Sequence, residues 1–160
     1  MSSSHYFSRN VESAASEGAR VVEIEARGSK LRMQTSAGTF SRGGLDEGSA
    51  ILLERCEIAS GSRVLELGDG WGALGCVVAD RVEESRVAMC DMHLRAVHLA
   101  LENARLNGLR NVSAWCGDGA DAARDQTFDV VLLNPPVRAG NAVMQKLFND
   151  ALRVLKSTDC

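Results

Sequence analysis

The chain has 160 residues, 45% hydrophobic and 24% charged, with a formal net charge of −3. That fits one domain with apolar content enough for a core, and it excludes a global electrostatic pull toward nucleic acid, so any RNA contact needs a local basic patch. The five cysteines, Cys56, Cys76, Cys90, Cys116 and Cys160, form no CxxC pair, which argues against a zinc site or disulfide framework and for a reducing compartment.

Residues 1–20 read as a polar, flexible N-terminus and 21–160 as a single domain, with a hairpin over 21–35 and a ligand-binding core over 45–156. MSSSHYFSRN lacks the apolar centre of a signal peptide and no stretch suits a bilayer span, so a cytoplasmic location and no membrane contact are expected. Val21–Glu25 and Lys30–Thr35 alternate apolar and charged residues around Arg27-Gly28-Ser29, which predicts a β-hairpin. From Asp46 the sequence reads as a helix burying Ile51, Leu52 and Leu53. From Arg63 the pattern is strand then helix, repeated. Strands are predicted over Arg63–Leu67, Arg86–Cys90, Val112–Cys116 and Phe128–Leu133. Helices are predicted over Ala73–Arg81, then with Leu94, Val97, Leu101 and Ala104 on one face as far as Asn107-Gly108, then over Ala142–Lys156 burying Val143, Leu147, Ala151 and Leu155. Such alternation means a parallel α/β sheet with helices on both faces, whose ligands sit at the carboxyl ends of the strands. Glu66, Asp91, Asp118 and Asn134 all fall at those ends.

The run VLELGDGWGALG, Val64–Gly75, is the most informative. Gly68, Gly70 and Gly72 alternate between a strand and an apolar helix, giving a sharp turn without Cβ atoms in front of the free N–H groups of a helix start. Its spacing is GxGxG, and Trp71 stands where a pyrophosphate would be crowded, so the loop suits an adenosyl sulfonium compound rather than a dinucleotide. Asp91 either accepts from both ribose hydroxyls or caps the helix beginning near Met92. Asp118 either accepts from an adenine amine or caps a turn. Glu66 either holds a cationic group or is a strand-end acid in solvent. Asn134-Pro135-Pro136 holds both prolines of the chain; proline fixes φ and has no N–H, so the loop is stiff. It is either an ordinary strand-ending turn or a device that aims the Asn134 side-chain oxygen and the Pro135 carbonyl at the two hydrogens of an exocyclic amine. Arg20, Arg27, Lys30, Arg32 and Arg42 offer a basic face near the hairpin, but Glu23 and Glu25 lie among them, which favours a charge-mixed solvated face. His93 and His98 are off the one-face helical spacing and receive no chemistry; no metal site is expected.

HYFS at His5–Ser8, GTFSRGGLDEGSAILLE at Gly38–Glu54, the glycine loop, ENARLNGL at Glu102–Leu109 and FDVVLLNPP at Phe128–Pro136 together resemble the class I S-adenosylmethionine-dependent methyltransferases. Within them the chain looks most like the "small domain" group of ribosomal RNA guanine-N2 methyltransferases. The resemblance implies a Rossmann-like sheet preceded by the hairpin and the cofactor S-adenosyl-L-methionine. It implies that Glu66, Gly68 and Gly70 contact the methionine part, that Asp91 binds the ribose and that Asp118 approaches the adenine. Asp69, Trp71, Gly72, Met92, Gly119 and Asn134 complete the expected cofactor set, with Phe40 to Arg42 and Asp46 lining the cleft. Asn134, Pro135 and Pro136 would be catalytic, transferring a methyl to an exocyclic amine, guanine N2 of ribosomal RNA. Two other readings stand beside it: a truncated, non-catalytic cofactor- or RNA-binding module, and a protein glutamine methyltransferase. Val137 stands where relatives place an aromatic residue that stacks on the base; Trp71, Trp115 or Phe40 are the candidates to replace it. Relatives continue beyond the last helix into further strands. The sheet is therefore expected to lack its C-terminal strands, leaving strand four as an exposed edge open to a second copy or a separate partner chain.

Overall fold

The computed structural model describes residues 20–36, 44–123, 125–135 and 138–157. The expectations at His5–Ser8, Phe40 to Arg42, Pro136, Val137 and Cys160, and for nearly all of the flexible N-terminus, lie outside the described residues.

The chain opens with an antiparallel hairpin, β1 (Arg20–Ala26) and β2 (Ser29–Thr35). Its turn residue Arg27 takes a left-handed φ of 52°, a conformation that costs energy for a side chain bearing a Cβ. The guanidinium offsets it: Nη1 donates to the carbonyls of Leu53 and Cys56, both at 2.7 Å, at the end of helix α1 (Glu47–Arg55). Another hairpin cation, Lys30, bridges Glu23 at 3.0 Å and Glu25 at 3.3 Å, which gives the charge-mixed face expected from the sequence.

Then come β3 (Arg63–Leu67), α2 (Ala73–Arg81), β4 (Arg86–Asp91), α3 (Leu94–Leu106), β5 (Val112–Cys116), β6 (Val130–Leu133) and α4 (Asn141–Val154). The sheet order is β5-β4-β3-β6, parallel throughout. The chain winds outward from β3 to β5 and then crosses back to β6, so the order reverses between β3 and β6. Open α/β sheets hold ligands in the crevice at such a reversal.

Strand alternation divides the interior in two. Val64, Val87, Met89 and Leu132 face a core shared with α1, α2, α3 and the hairpin. Leu65, Leu67, Ala88 and Cys90 face a second core with Ala120, Phe128 and Val154. Val64 and Leu65 are both fully buried on opposite faces, each contributing roughly 1.5–3 kcal/mol. Helices thus cover both faces, as the alternating pattern requires. Among the described residues β6 pairs only with β3, so the sheet ends there.

Four local expectations need correction. The regular part of strand four is shorter than read, 130–133; Phe128 makes an isolated parallel bridge to Leu155 instead. On α1, Leu53 is buried, Leu52 half-buried and Ile51 exposed. On α3, Leu94 and Leu101 are exposed, and the buried face is Ala96, Val97, Leu99, Ala100, Asn103 and Ala104. On α4, Val143 is exposed, Leu147, Ala151 and Leu155 are half-buried, and Asp150 and Val154 go inside.

Candidate active site

The glycine turn follows β3. Gly68 and Gly70 take left-handed φ values of 76° and 58°, and a Cβ built on either meets no atom within 4 Å. Both therefore border open space. Gly72 does different work: a Cβ there would lie 2.7 Å from Ala100 Cβ and 3.2 Å from Met89 Sδ, so this glycine lets α2 approach α3. The turn is closed by the backbone, with Gly68 N–H donating to Cys90 O at 2.7 Å and Gly72 N–H to Asp69 O at 2.8 Å.

Trp71 is buried in the core above α2 and α3, and its carbonyl accepts from the Asn103 amide at 2.9 Å. The indole is packed with core residues of the hairpin and α3, so this chain's Trp71 is a core side chain. Asn103 was quoted in a family stretch but given no role from sequence. It is fully buried, accepts from Gln34 N–H at 2.6 Å, and donates to Gln34 O and Trp71 O at 2.9 Å each. One amide thus ties α3, the hairpin edge and the glycine turn together.

Glu66 is not a strand-end acid in solvent, as one reading held. It is buried, and its Oε2 accepts from the Gly75 N–H in α2 at 2.8 Å. Burial first, then the charge of Asp69, pushes its carboxyl well above the ordinary range. Asp69 is buried with no hydrogen-bond donor to either oxygen among the described residues. Burial, and then the Asp91 charge, push it up to about 7. Asp91 holds the turn from β4: Oδ2 accepts from Gly70 N–H at 3.1 Å, and Oδ1 accepts from His93 N–H at 2.8 Å. The helix it precedes starts at Leu94 with His93 as its N-cap, so Asp91 steadies the entry to α3 without being its cap residue. His93, left without chemistry in the sequence, brings ring Nδ1 within 3.0 Å of Asp91 Oδ1. With one donor on it, Asp91 Oδ2 keeps a second lone-pair direction for a further donor.

Met92 is exposed. Asp118 is exposed as well, with Oδ1 3.6 Å from Lys146 Nζ, which also donates to the Asp118 carbonyl at 3.1 Å. Next to it, Cys90 Sγ donates to Gly119 O at 3.1 Å, and Ala120 N–H donates to Asp150 Oδ2 at 3.2 Å. Asp150 also pairs with Lys146 at 2.7 Å. Burial raises the Asp150 carboxyl, but these two hydrogen bonds outweigh it and hold the group below its ordinary value. Asp150 was missed because an acid on an amphipathic helix reads as a surface residue; the loop N–H that it satisfies is invisible locally.

Asn134 follows β6. Leu67 and Leu133 are register partners, so Gly68 and Asn134 leave neighbouring strands side by side. The Asn134 side chain turns toward the start of α1, where Nδ2 donates to Asp46 Oδ1 at 3.0 Å and to Ser49 Oγ at 2.9 Å. Among the described residues none donates to Oδ1. Asp46 caps α1, accepting from Ser49 N–H at 3.0 Å. The structure therefore brings Glu66, Gly68, Asp69, Gly70, Asp91 and Asn134 to one end of the sheet. Gly72 and Trp71 face inward, and Asp118 sits at the rim with Lys146.

A family profile described as methyltransferase small domain matches residues 30–159. The chain belongs to that family. A Bacillus subtilis relative, the uncharacterized protein YbxB, is 32% identical over 98% of this chain and 78% of its own length. The ribosomal RNA small subunit methyltransferase C of Hahella chejuensis is 33% identical over 79% of this chain. That match spans 37% of the Hahella chejuensis protein's own length. Among solved structures, the T. thermophilus 16S rRNA N2 methyltransferase RsmC, in complex with AdoMet and guanosine, superposes with a TM-score of 0.78 at 29% identity. The match covers 88% of this chain and 40% of that one. The parallel sheet, the flanking helices and the leading hairpin are the class I methyltransferase fold expected from the sequence. No described helix is long and apolar enough to cross a membrane.

Proposed function

We propose that this chain binds S-adenosylmethionine at the glycine turn after β3 and directs its methyl group to an exocyclic amine, guanine N2 of ribosomal RNA, held by Asn134 and Pro135. The observation that carries this reading is the pairing of Leu67 with Leu133, which sets the open turn beside the Asn134 amide. The residues fit the cofactor. The turn is open at Gly68 and Gly70, and among the described residues no group donates to the buried Asp69 carboxyl, which is coupled to Glu66 and Asp91. Such a cluster attracts a cation and repels a pyrophosphate.

Glu66, Gly68 and Gly70 would border the methionine part, Asp91 the ribose, and Met92, Asp118 and Gly119 the adenine. S-adenosylmethionine supplies an electrophilic methyl on a positively charged sulfur. The chain itself contributes orientation, the largest lever available to a site without a strong general base. Asn134 Oδ1 and the Pro135 carbonyl would accept the two amine hydrogens and draw the nitrogen lone pair out of conjugation with the ring. Ribosomal RNA as substrate is supported by the relatives named for that activity, of which this chain spans little more than a third.

Titration calorimetry with S-adenosylmethionine, followed by radiolabelled methyl transfer to undermethylated ribosomal RNA, tests the reading. Asn134→Ala is expected to retain measurable cofactor binding and, at saturating S-adenosylmethionine, to lose transfer by about 100-fold, the scale of one lost transition-state acceptor. Equal label in the two proteins would refute it, and absence of cofactor heat on folded protein would remove the cofactor assignment.

A further inference from the structure

Both hydrogens of the Asn134 side-chain amide are committed, one to Asp46 Oδ1 and one to Ser49 Oγ. The direction of every hydrogen in this cluster can be worked out. Burial pushes the Asp46 carboxyl up, but hydrogen bonds from the Ser49 hydroxyl, the Ser49 amide and Asn134 outweigh it and keep the group below its ordinary value. Asp46 is thus ionised, and an ionised carboxylate only accepts. The Ser49 hydroxyl gives its hydrogen to Asp46 Oδ2 at 2.7 Å, so toward Asn134 it can only accept. Exchanging Nδ2 and Oδ1 of Asn134 would set an acceptor against two acceptors. The orientation of an asparagine amide is ordinarily a matter of assignment; here the carboxylate decides it.

The consequence lies on the other side of the amide. Among the described residues no group donates to Oδ1, which sits over the start of α1, 3.0 Å from where a Cβ on Gly48 would lie. An amine nucleophile brings hydrogens, so it needs an acceptor there; the flipped amide would confront it with more hydrogens.

We propose that Asp46 and Ser49, the cap of α1, are a positioning pair that fixes the Asn134 amide with its oxygen toward the acceptor amine. This rests on the amine-holding reading of Asn134 given above. Neither residue touches the reacting atoms; each acts through the asparagine.

Asp46→Asn separates this role from simple capping. Asparagine caps helices as well as aspartate does and has the same shape. Its Nδ2, however, donates where Oδ2 accepted, so the Ser49 hydroxyl hydrogen loses its acceptor and is free to turn toward Asn134, and the carboxylate charge that held the observed amide orientation is gone. The variant is expected to melt close to wild type, while kcat for methyl transfer, measured at saturating S-adenosylmethionine, falls at least about tenfold with little change in KM for RNA. Added to Asn134→Ala, it is expected to cost nothing further, since coupled residues are not additive. An independent readout needs no turnover: the Asn134 NH2 resonances, assigned by their loss in Asn134→Ala, are expected to move and to exchange faster in Asp46→Asn. Wild-type kcat, unmoved NH2 resonances, or a full additional loss in the double variant would each overturn the proposal. Should Asp46→Asn fail to fold, Ser49→Ala removes one of the two acceptors while leaving the cap carboxylate and takes the same measurements. Full activity of Asn134→Ala is the distinct outcome that sinks the amine-holding reading itself, and the positioning role with it.

Discussion

Asp69 shows how one residue can set the pH behaviour of a site. Its carboxyl stands at about 7 in the folded chain, chiefly through burial, against an ordinary 3.8. Between those values the unfolded chain has released its proton while the folded chain keeps it. The folded state then binds more protons, so this group makes stability fall as pH rises from about 4 to about 7 and level off above. Asp69→Asn is expected to be more stable than wild type by a few kcal/mol near pH 8 and no more stable near pH 3, by urea denaturation across that range. Glu66, also shifted upward by burial, leaves a residual slope in the variant. A slope undiminished by the substitution would locate the cost elsewhere. In the proposed site a sulfonium beside Asp69 would favour its ionised form, so a carboxyl poised near neutrality can become the counter-charge of the cofactor.

The elements were easier to read than their faces. Strand 63–67, helix 73–81 and strand 112–116 fall where the sequence places them, because runs bounded by turn residues are local signals. Which side a helix buries depends on what reaches it from elsewhere. On α4 the apolar stripe pointed to Val143 and Leu147, yet Asp150 turns inward because Ala120 N–H needs an acceptor. Substitution can measure that rotation. Val154→Ala, at 1% exposure, is expected to cost about 1–3 kcal/mol, whereas Leu152→Ala, at 70%, is expected to stay within about 0.5 kcal/mol. Similar costs for the two by chemical denaturation would mean that the helix sits differently. Asn103 is the corresponding case on α3, where a polar residue in a helix interior reads as ordinary surface. Its hydrogen bonds to Gln34 and Trp71 span three separate segments. Asn103→Ala is expected to cost about 2–4 kcal/mol by leaving buried backbone groups unpaired, with faster amide hydrogen exchange at Gln34 as its local mark.

At the scale of the whole molecule, the site was legible because the fold concentrates function by topology. Once strands alternate with helices, the carboxyl ends of the strands are the place to look, and Glu66, Asp91 and Asn134 were found there. What could not be read was the traffic between segments. The tie from Asn134 to Asp46 joins residues 88 apart in the chain, and no periodicity announces it. The place of Trp71 was hidden for a related reason: that its indole joins the core depends on the hairpin and α3, which belong to the same cluster.

The parallel pairing of β3 with β6 has one last consequence. Among the described residues no side-chain hydrogen bond joins the turn that would receive the donor to the asparagine that would receive the acceptor; the pairing of Leu67 with Leu133 sets them side by side. Length changes in the connection ahead of β6 leave that meeting point untouched. A single residue gained or lost inside 130–133 would carry Asn134 about 3.3 Å along the strand axis and reverse every side chain behind it. The spacing of this machine is kept by its backbone ladder, so evolution is free to edit its loops but not to recount its rungs.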